Sequence, residues 1–93
     1  MTAPDVQRAI ETVWRIESPK VIASVARMVR DVGIAEDLAH DALVTALEQW
    51  PVDGIPRNPG AWLTAAAKRR AIDLFRRTRL LERKHGELGY ELE

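Results

Sequence analysis

The sequence lacks cysteine, which excludes disulfide bonds, thiol catalysis and zinc sites built on thiolates. It also lacks an apolar run near the roughly 20 residues of a membrane span, and its first residues do not resemble a signal peptide. Internal repeats and low-complexity tracts are absent as well. For a chain of 93 residues, these absences predict one small intracellular domain with no membrane span.

The period-2 alternation of a half-buried strand is absent too, and apolar residues recur at helical spacing instead. Capping side chains followed by proline predict helix starts at residues 2–4, 18–19 and 58–59. Acidic residues predict a further start near Ala35, after a helix that ends at Gly33. The sequence therefore predicts an all-α fold, a compact bundle of three to four helices.

Helix-breaking residues set the expected boundaries of that bundle. Two prolines and a glycine predict a loop over residues 51–57, and the last helix is expected to bend near residues 67–69, where its apolar pattern lapses. The final residues carry two glycines and no apolar stripe. We therefore expect a helical domain at residues 1–84 and a C-terminal tail at residues 85–93.

A formal net charge of zero conceals an uneven distribution of charge along the chain. Residues 1–56 contain 5 Lys/Arg and 9 Asp/Glu, a balance of −4, whereas residues 57–84 contain 9 Lys/Arg and 2 Asp/Glu, a balance of +7. Residues 85–93 add 3 acidic residues. This segregation suggests two faces with two partners, although solvated helix surfaces that differ by chance would give the same pattern.

The helix predicted before the loop carries acidic residues along one side. Spacings of four, three and four residues place one set on a common face beside His40: Asp37, Asp41, Val44 and Glu48. Acids around an exposed valine suit a protein partner that brings arginines around an apolar patch. The competing interpretation is the solvated side of an amphipathic helix. A single histidine among carboxylates does not predict a metal site.

The last predicted helix carries the opposite charge. Its basic residues are Lys68, Arg69, Arg70, Arg76, Arg77 and Arg79. Asp73 lies three or four residues from four of these arginines, so that one carboxylate can orient several guanidinium groups. Planar donors held in place suit phosphate and base-edge recognition, which predicts nucleic-acid binding. A solvated, salt-bridged surface is the alternative.

Aromatic residues are few, and three of them are tryptophans. Trp14 and Trp50 fall on apolar stripes and are expected in the core. Trp62 opens the basic helix, where it either stacks on an unpaired base or anchors the preceding loop in the core. The expected core contacts of this helix are Trp62, Leu63, Ala66, Ile72 and Phe75.

No catalytic arrangement is recognisable in the sequence. His40 and His85 are far apart, and no Ser/His/Asp set, HExxH motif, glycine-rich phosphate loop or paired-carboxylate pocket can be named. We therefore expect a binding module without a cofactor or a metal, and not an enzyme.

Two segments of the chain together resemble a known family. They are AEDLAHDALVTALEQW at residues 35–50 and NPGAWLTAAAKRRAIDLFRR at residues 58–77, joined by a loop rich in proline and glycine. This arrangement is similar to region 2 of the extracytoplasmic-function (ECF) sigma factors, which are bacterial initiation subunits of RNA polymerase in the sigma-70 family. The resemblance is clearest over residues 35–79, and the subgroup with a GIP-NP loop before AWL is the most similar.

The resemblance implies a role for each charged face. Asp37, His40, Asp41, Val44 and Glu48 would dock on the clamp coiled coil of the polymerase β′ subunit. Trp62 and the six basic residues named above would contact the −10 promoter element, mainly its non-template strand as the duplex melts. The resemblance thus implies a cytoplasmic bacterial protein that works with core RNA polymerase and promoter DNA. An anti-sigma protein is a further partner that it allows.

Three features depart from the family pattern. Arg69 stands where many members have asparagine, at the turn that helps to hold a flipped −10 base. His40 and Asp41 replace the frequent glutamine and glutamate of the docking helix. A complete member also has a second helical domain, region 4, which reads the −35 element and which these 93 residues do not supply. We therefore expect a domain excised from a longer protein, with residues 85–93 as the start of the linker to region 4.

Two other binding modules remain open from the sequence. A small helix-turn-helix regulator would prefer double-stranded DNA, whereas a sigma region 2 would prefer single-stranded or forked −10 DNA. A protein–protein adaptor, in which the basic helix meets an acidic partner, would not bind DNA even at low salt.

Overall fold

A computed structural model describes residues 3–92 of the chain and the side chains of residues 4–86. Residues 3–92 form three helices: α1 (Ala3–Val29), α2 (Val32–Asp53) and α3 (Pro59–Leu92). Each helix packs against the other two, and residues 3–92 contain no strand. The prediction of an all-α bundle is confirmed, with three helices.

The first helix continues through Pro19, where the sequence predicted a second helix start. A proline in a helix interior removes a backbone hydrogen bond and costs about 3 kcal/mol. Burial on both sides offsets that cost here, because Ile10 precedes the proline in the core and Val25 follows it. The break predicted at residues 18–19 is therefore wrong. Thr2, the predicted cap of this helix, lies outside the described residues.

The turn between α1 and α2 is made by Arg30 and not by Gly33. Arg30 adopts a left-handed φ of 59°, and its N–H donates to the Ala26 carbonyl at 2.7 Å. Asp31 then caps α2, because its Oδ1 accepts from the N–H of Ile34 at 2.9 Å. The prediction that Gly33 ends a helix is wrong, since the aspartate cap places this glycine in the first turn of α2.

The second helix ends at Asp53, two residues beyond the predicted start of the loop at Pro51. Gly54 closes it with a φ of 92°, and the Gly54 N–H donates to the Trp50 carbonyl at 2.8 Å. Positive φ is a conformation that glycine adopts without steric cost, so this residue ends the helix.

The side chains of Asn58 and Glu17 lie at the start of α3. Asn58 Oδ1 accepts from the N–H of Ala61 at 3.1 Å, which confirms the predicted cap. Gly60 is buried against α1, where the carboxyl group of Glu17 fills the space beside it. A Cβ at position 60 would lie 2.8 Å from Glu17 Cδ, a distance that real Cβ atoms essentially never show. The absence of a side chain at Gly60 therefore leaves room for the Glu17 carboxyl group between α1 and α3.

The core is built largely from short side chains. Six of the twelve buried apolar residues in the described part of the chain are alanines: Ala35, Ala39, Ala42, Ala46, Ala67 and Ala71. The larger members are Ile10, Val21, Val25, Leu38, Trp50 and Leu63. Alanines at facing positions let helix backbones approach closely, so that few large side chains are needed to fill the space between them.

The predicted core contacts of α3 are confirmed only in its first turns. Leu63 is buried, and Trp62 and Ala66 are half-buried. Ile72 and Phe75 are instead 42% and 40% exposed, so that their placement in the core was wrong. Both residues lie beyond position 71, where α3 extends past the other two helices.

The third helix extends past the rest of the bundle. Its 34 residues form one continuous helix, so that the bend predicted near residues 67–69 is absent. A helix of this length spans roughly 50 Å. Side chains up to position 71 include buried ones, whereas every side chain from 72 to 86 is exposed. We call residues 59–71 the packed half of α3 and residues 72–86 the free half.

Candidate functional site

The acidic residues of α2 form one solvent-exposed surface, as the sequence predicted. All five side chains are exposed, and we call them the acidic face: Asp37, His40, Asp41, Val44 and Glu48. Val44 is 52% exposed, while Ala42 and Ala46 on the opposite side of the helix are fully buried. An apolar side chain thus lies in water at the centre of an acidic surface.

The acidic face continues onto α1 through a contact that sequence reasoning missed. The His40 ring lies 5.5 Å from the Trp14 ring, measured between centroids, with the two planes tilted by 42°. Trp14 itself is half-buried, so that its predicted placement in the core is confirmed in part. With Leu43 and Leu47 it lines an open pocket of about 520 Å³ between α1 and α2. The helical spacing of these apolar residues was visible in the sequence, but the gap between the two helices was not.

The basic residues lie along both halves of α3. Lys68 is half-buried, and the five arginines are exposed: Arg69, Arg70, Arg76, Arg77 and Arg79. We call these six residues the basic face. Lys68, Arg69 and Arg70 belong to the packed half, which α1 and α2 support, and the other three belong to the free half.

One arginine of the basic face is fixed by α2. Arg70 Nη2 donates a hydrogen bond of 2.9 Å to Thr45 Oγ1. The Thr45 hydroxyl in turn donates to the Asp41 carbonyl at 3.1 Å. The hydrogen bond that orients Arg70 thus goes to Thr45 and not to Asp73, the carboxylate that the sequence suggested.

The acidic and basic faces adjoin each other. Asp41 and Asp73 line a pocket of about 170 Å³ together with Arg70 and Arg77, and Leu38 and Leu74 complete its wall. The faces therefore meet at the contact between α2 and α3. Any partner that reaches Asp41 comes close to two of the arginines.

Trp62 is anchored in the core on one side and open on another. Its ring meets Trp50 edge-on, with centroids 5.1 Å apart and an interplanar angle of 67°. Trp50 is 3% exposed, so that this contact ties Trp62 to the core and confirms the core position of Trp50. Trp62 is half-buried and also lines a pocket of about 150 Å³ beside Gln49 and Arg69. Part of its surface is therefore available next to a guanidinium group.

Residues 3–92 contain no helix that is long and apolar enough to cross a membrane. The described side chains, those of residues 4–86, hold no group of three or more histidine, aspartate or glutamate residues that could bind a metal ion.

Comparison with known proteins gives one family. The family model for sigma-70 region 2 matches residues 13–80 of the 93. The matched segment runs from α1 through all of α2 and into the free half of α3, so that it contains both charged faces.

A curated relative gives a partial match. An uncharacterized protein of Rhizobium meliloti (strain 1021) is 36% identical over 59 residues. The match covers 63% of this chain but 14% of the relative, which is therefore a much longer protein. No solved structure matches the chain. The family match over most of the chain, together with the three-helix fold, shows that the chain belongs to the sigma-70 region 2 family of transcription initiation factor domains, which are not enzymes.

Proposed function

We propose that the chain is region 2 of an ECF-type sigma factor. It would bind core RNA polymerase through the acidic face and would recognise and help to melt the −10 promoter element through the basic face. The observation that carries this proposal is the pairing of two exposed faces of opposite charge on adjacent helices, in a chain of the sigma-70 region 2 family. Such a subunit would act in the bacterial cytoplasm.

The acidic face has the chemistry of a docking site for a basic helical partner. Carboxylates steer an approaching positive partner, and Val44 supplies an apolar contact that can be desolvated on binding. The clamp coiled coil of the β′ subunit is the partner that we assign to it. An anti-sigma protein that covered the same face would compete with the polymerase.

The basic face divides into two kinds of DNA contact. Arg76, Arg77 and Arg79 extend along the free half, where they would neutralise phosphates regardless of sequence. Arg69 and Trp62 share one pocket, where the planar ring and the guanidinium group could meet an unpaired base. Base identity would therefore be read near the packed half, with Lys68 and Arg70 beside it.

Capture of an unpaired base would assist melting without any covalent chemistry. Unstacking a base costs a few kcal/mol, and a protein surface that holds the extruded base offsets part of that cost. The domain would thus act by binding alone.

Calorimetric titration of the chain with an isolated β′ clamp coiled coil tests the docking assignment. We expect the double variant Asp37→Arg/Asp41→Arg to lose about tenfold or more in affinity, because both carboxylates are exposed on the proposed contact. Asp53→Arg is the matched control, since Asp53 is an exposed acid at the end of the same helix and outside the acidic face. Equal losses in the two variants, or no binding by the wild type, would count against the docking face.

A second candidate is a regulator that binds double-stranded DNA. The free half of α3 favours it, because an exposed basic helix projecting from a bundle can enter a groove. Affinities for forked DNA with a single-stranded segment and for the matching duplex separate the two candidates. A preference for the forked DNA supports sigma region 2, whereas a preference for the duplex supports the regulator.

A further inference from the structure

The side of α3 that faces the core continues into the free half. Spacings of four, three, four and three residues define one stripe, which we call the seam: Ala67, Ala71, Leu74, Thr78 and Leu81. Such spacing is that of the contact positions in a coiled coil. Ala67 and Ala71 are fully buried, whereas Leu74 is 37% exposed and Leu81 is 55% exposed. A continuous contact stripe is therefore covered at one end and open at the other.

Basic residues follow one edge of the seam at seven-residue intervals. They are Arg70, Arg77 and Lys84. In a coiled coil, residues at this flanking position select the charge of the partner helix. The free half as a whole carries 5 Lys/Arg and 2 Asp/Glu. The edge therefore favours a partner with acidic side chains beside its apolar ones.

Within the bundle, α2 shows which types of side chain pack on the seam and its basic edge. Leu38 is 6% exposed and lines one pocket with Leu74, while Asp41, three residues further on, lines it with Arg70 and Arg77. The Arg70–Thr45 hydrogen bond and the Leu38–Leu74 pocket show that α2 runs antiparallel to α3. The cover is thus an antiparallel helix that presents a leucine to the seam and a carboxylate to the basic edge.

We propose that the free half of α3 docks an acidic amphipathic helix of a partner protein, antiparallel to α3, on Leu74, Thr78 and Leu81. Arg77 and Lys84 would supply the charged edge of this docking site. The proposal goes beyond polymerase and promoter binding and does not depend on either. Since Arg77 also belongs to the basic face, such a partner would compete with nucleic acid for this residue.

A second copy of the chain fits the site less well. In the antiparallel orientation that α2 takes, two free halves would bring their basic edges together and repel each other. The acidic partner removes this repulsion, and for this reason it is the occupant that we assign.

Calorimetry with a synthetic probe tests the proposal on the chain as it stands. The probe is a helical peptide of three heptads, with leucine at its seam positions and glutamate at the flanking positions. Leu81 and Leu80 offer a matched pair, because they are 55% and 54% exposed but only Leu81 lies on the seam. We expect Leu81→Ser to weaken binding about tenfold or more and Leu80→Ser by less than about twofold. Circular dichroism should show both variants folded, since both leucines are exposed.

Charge reversal at the basic edge is a second, independent test of the proposed docking site. The variant Arg77→Glu/Lys84→Glu should no longer bind the glutamate peptide. It should instead bind a peptide in which lysine replaces glutamate. Equal effects of Leu80→Ser and Leu81→Ser, or equal binding of the two peptides by the wild type, would overturn the proposal. A dimer in sedimentation that Leu81→Ser dissociates would also overturn it, because the occupant would then be a second copy.

Discussion

The two halves of α3 belong to one helix and share one stripe of apolar spacing. They differ in their surroundings, because the packed half lies against α1 and α2 whereas the free half lies in solvent. The packed half is capped by Asn58, contacts the Glu17 side chain of α1 at Gly60 and is tied to α2 through Arg70. In the free half every described side chain is exposed. The Arg70 guanidinium group is therefore oriented by α2 before a ligand arrives, whereas we expect the arginines of the free half to be ordered by the ligand they meet.

This difference assigns the two halves to different tasks. Recognition of a base needs donors at fixed positions, because base identity is read from the geometry of a few hydrogen bonds. Contact with phosphates needs charge more than geometry. We expect substitutions in the packed half to change folding and selectivity, and those in the free half to change affinity alone.

The largest expected effect compares one leucine in each half. Leu63→Ala should lower the free energy of unfolding by about 2–5 kcal/mol, because Leu63 is 1% exposed and its loss leaves a cavity. Leu81→Ala should change it by less than about 0.5 kcal/mol, because Leu81 is 55% exposed. Urea denaturation of both variants measures the contrast. Similar losses in the two variants would mean that the free half is packed in solution.

The next prediction concerns the contact between Gly60 of α3 and Glu17 of α1. Gly60→Ala should change the free energy of unfolding of the wild type by less than about 1 kcal/mol, because the cost of displacing the flexible end of the Glu17 side chain is offset by the higher helix propensity of alanine. In a Glu17→Ala background the same change should be neutral or stabilising, because alanine is a better helix former than glycine. A double-mutant cycle from urea denaturation measures the coupling. Additive effects would show that Glu17 does not occupy this space.

Sequence reasoning succeeded where periodicity alone decides the outcome. The helical class, the Asn58 cap and the exposure of the acidic residues around Val44 all follow from local patterns. It failed at Pro19 and Gly33, where burial and a capping aspartate outweigh the usual effect of these residues on helices. Local preference is a few kcal/mol at most, and packing across the bundle can exceed it.

The arrangement of the two faces could not be predicted from the sequence. Asp41 and Arg77 are far apart along the chain, and only the packing of α2 against α3 brings them to one pocket. Nor could the sequence tell where the packed half ends, since the stripe through Leu74 and Leu81 keeps its spacing beyond the bundle. The prediction that Ile72 and Phe75 lie in the core was wrong because it continued the apolar pattern of Trp62, Leu63 and Ala66 past the end of the packed half.

A smaller effect is expected from an arginine of the free half. Arg76→Ala should weaken binding to forked DNA to a similar degree whatever the sequence of the single-stranded segment, because Arg76 is assigned to phosphate. The slope of log affinity against log salt should fall in magnitude by about 0.7 if one single-strand phosphate contact is lost. Fluorescence titrations over a range of salt and several sequences measure both quantities. A loss confined to one sequence would contradict the phosphate assignment.

The smallest expected effect separates the orientation of the Arg70 side chain from its charge. Thr45→Val removes the hydroxyl that accepts from Arg70 but leaves every charge of both faces in place. We expect stability to change by less than about 0.5 kcal/mol, since the hydrogen bond is exposed. Discrimination among sequences should fall about two- to threefold while the salt slope stays constant, because Arg70 keeps its charge but loses its fixed orientation. Thr45→Ser retains the hydroxyl and should behave as the wild type. If Thr45→Val changes the salt slope instead of the discrimination, Arg70 contacts phosphate, and the assignment of base reading to the packed half fails at this residue.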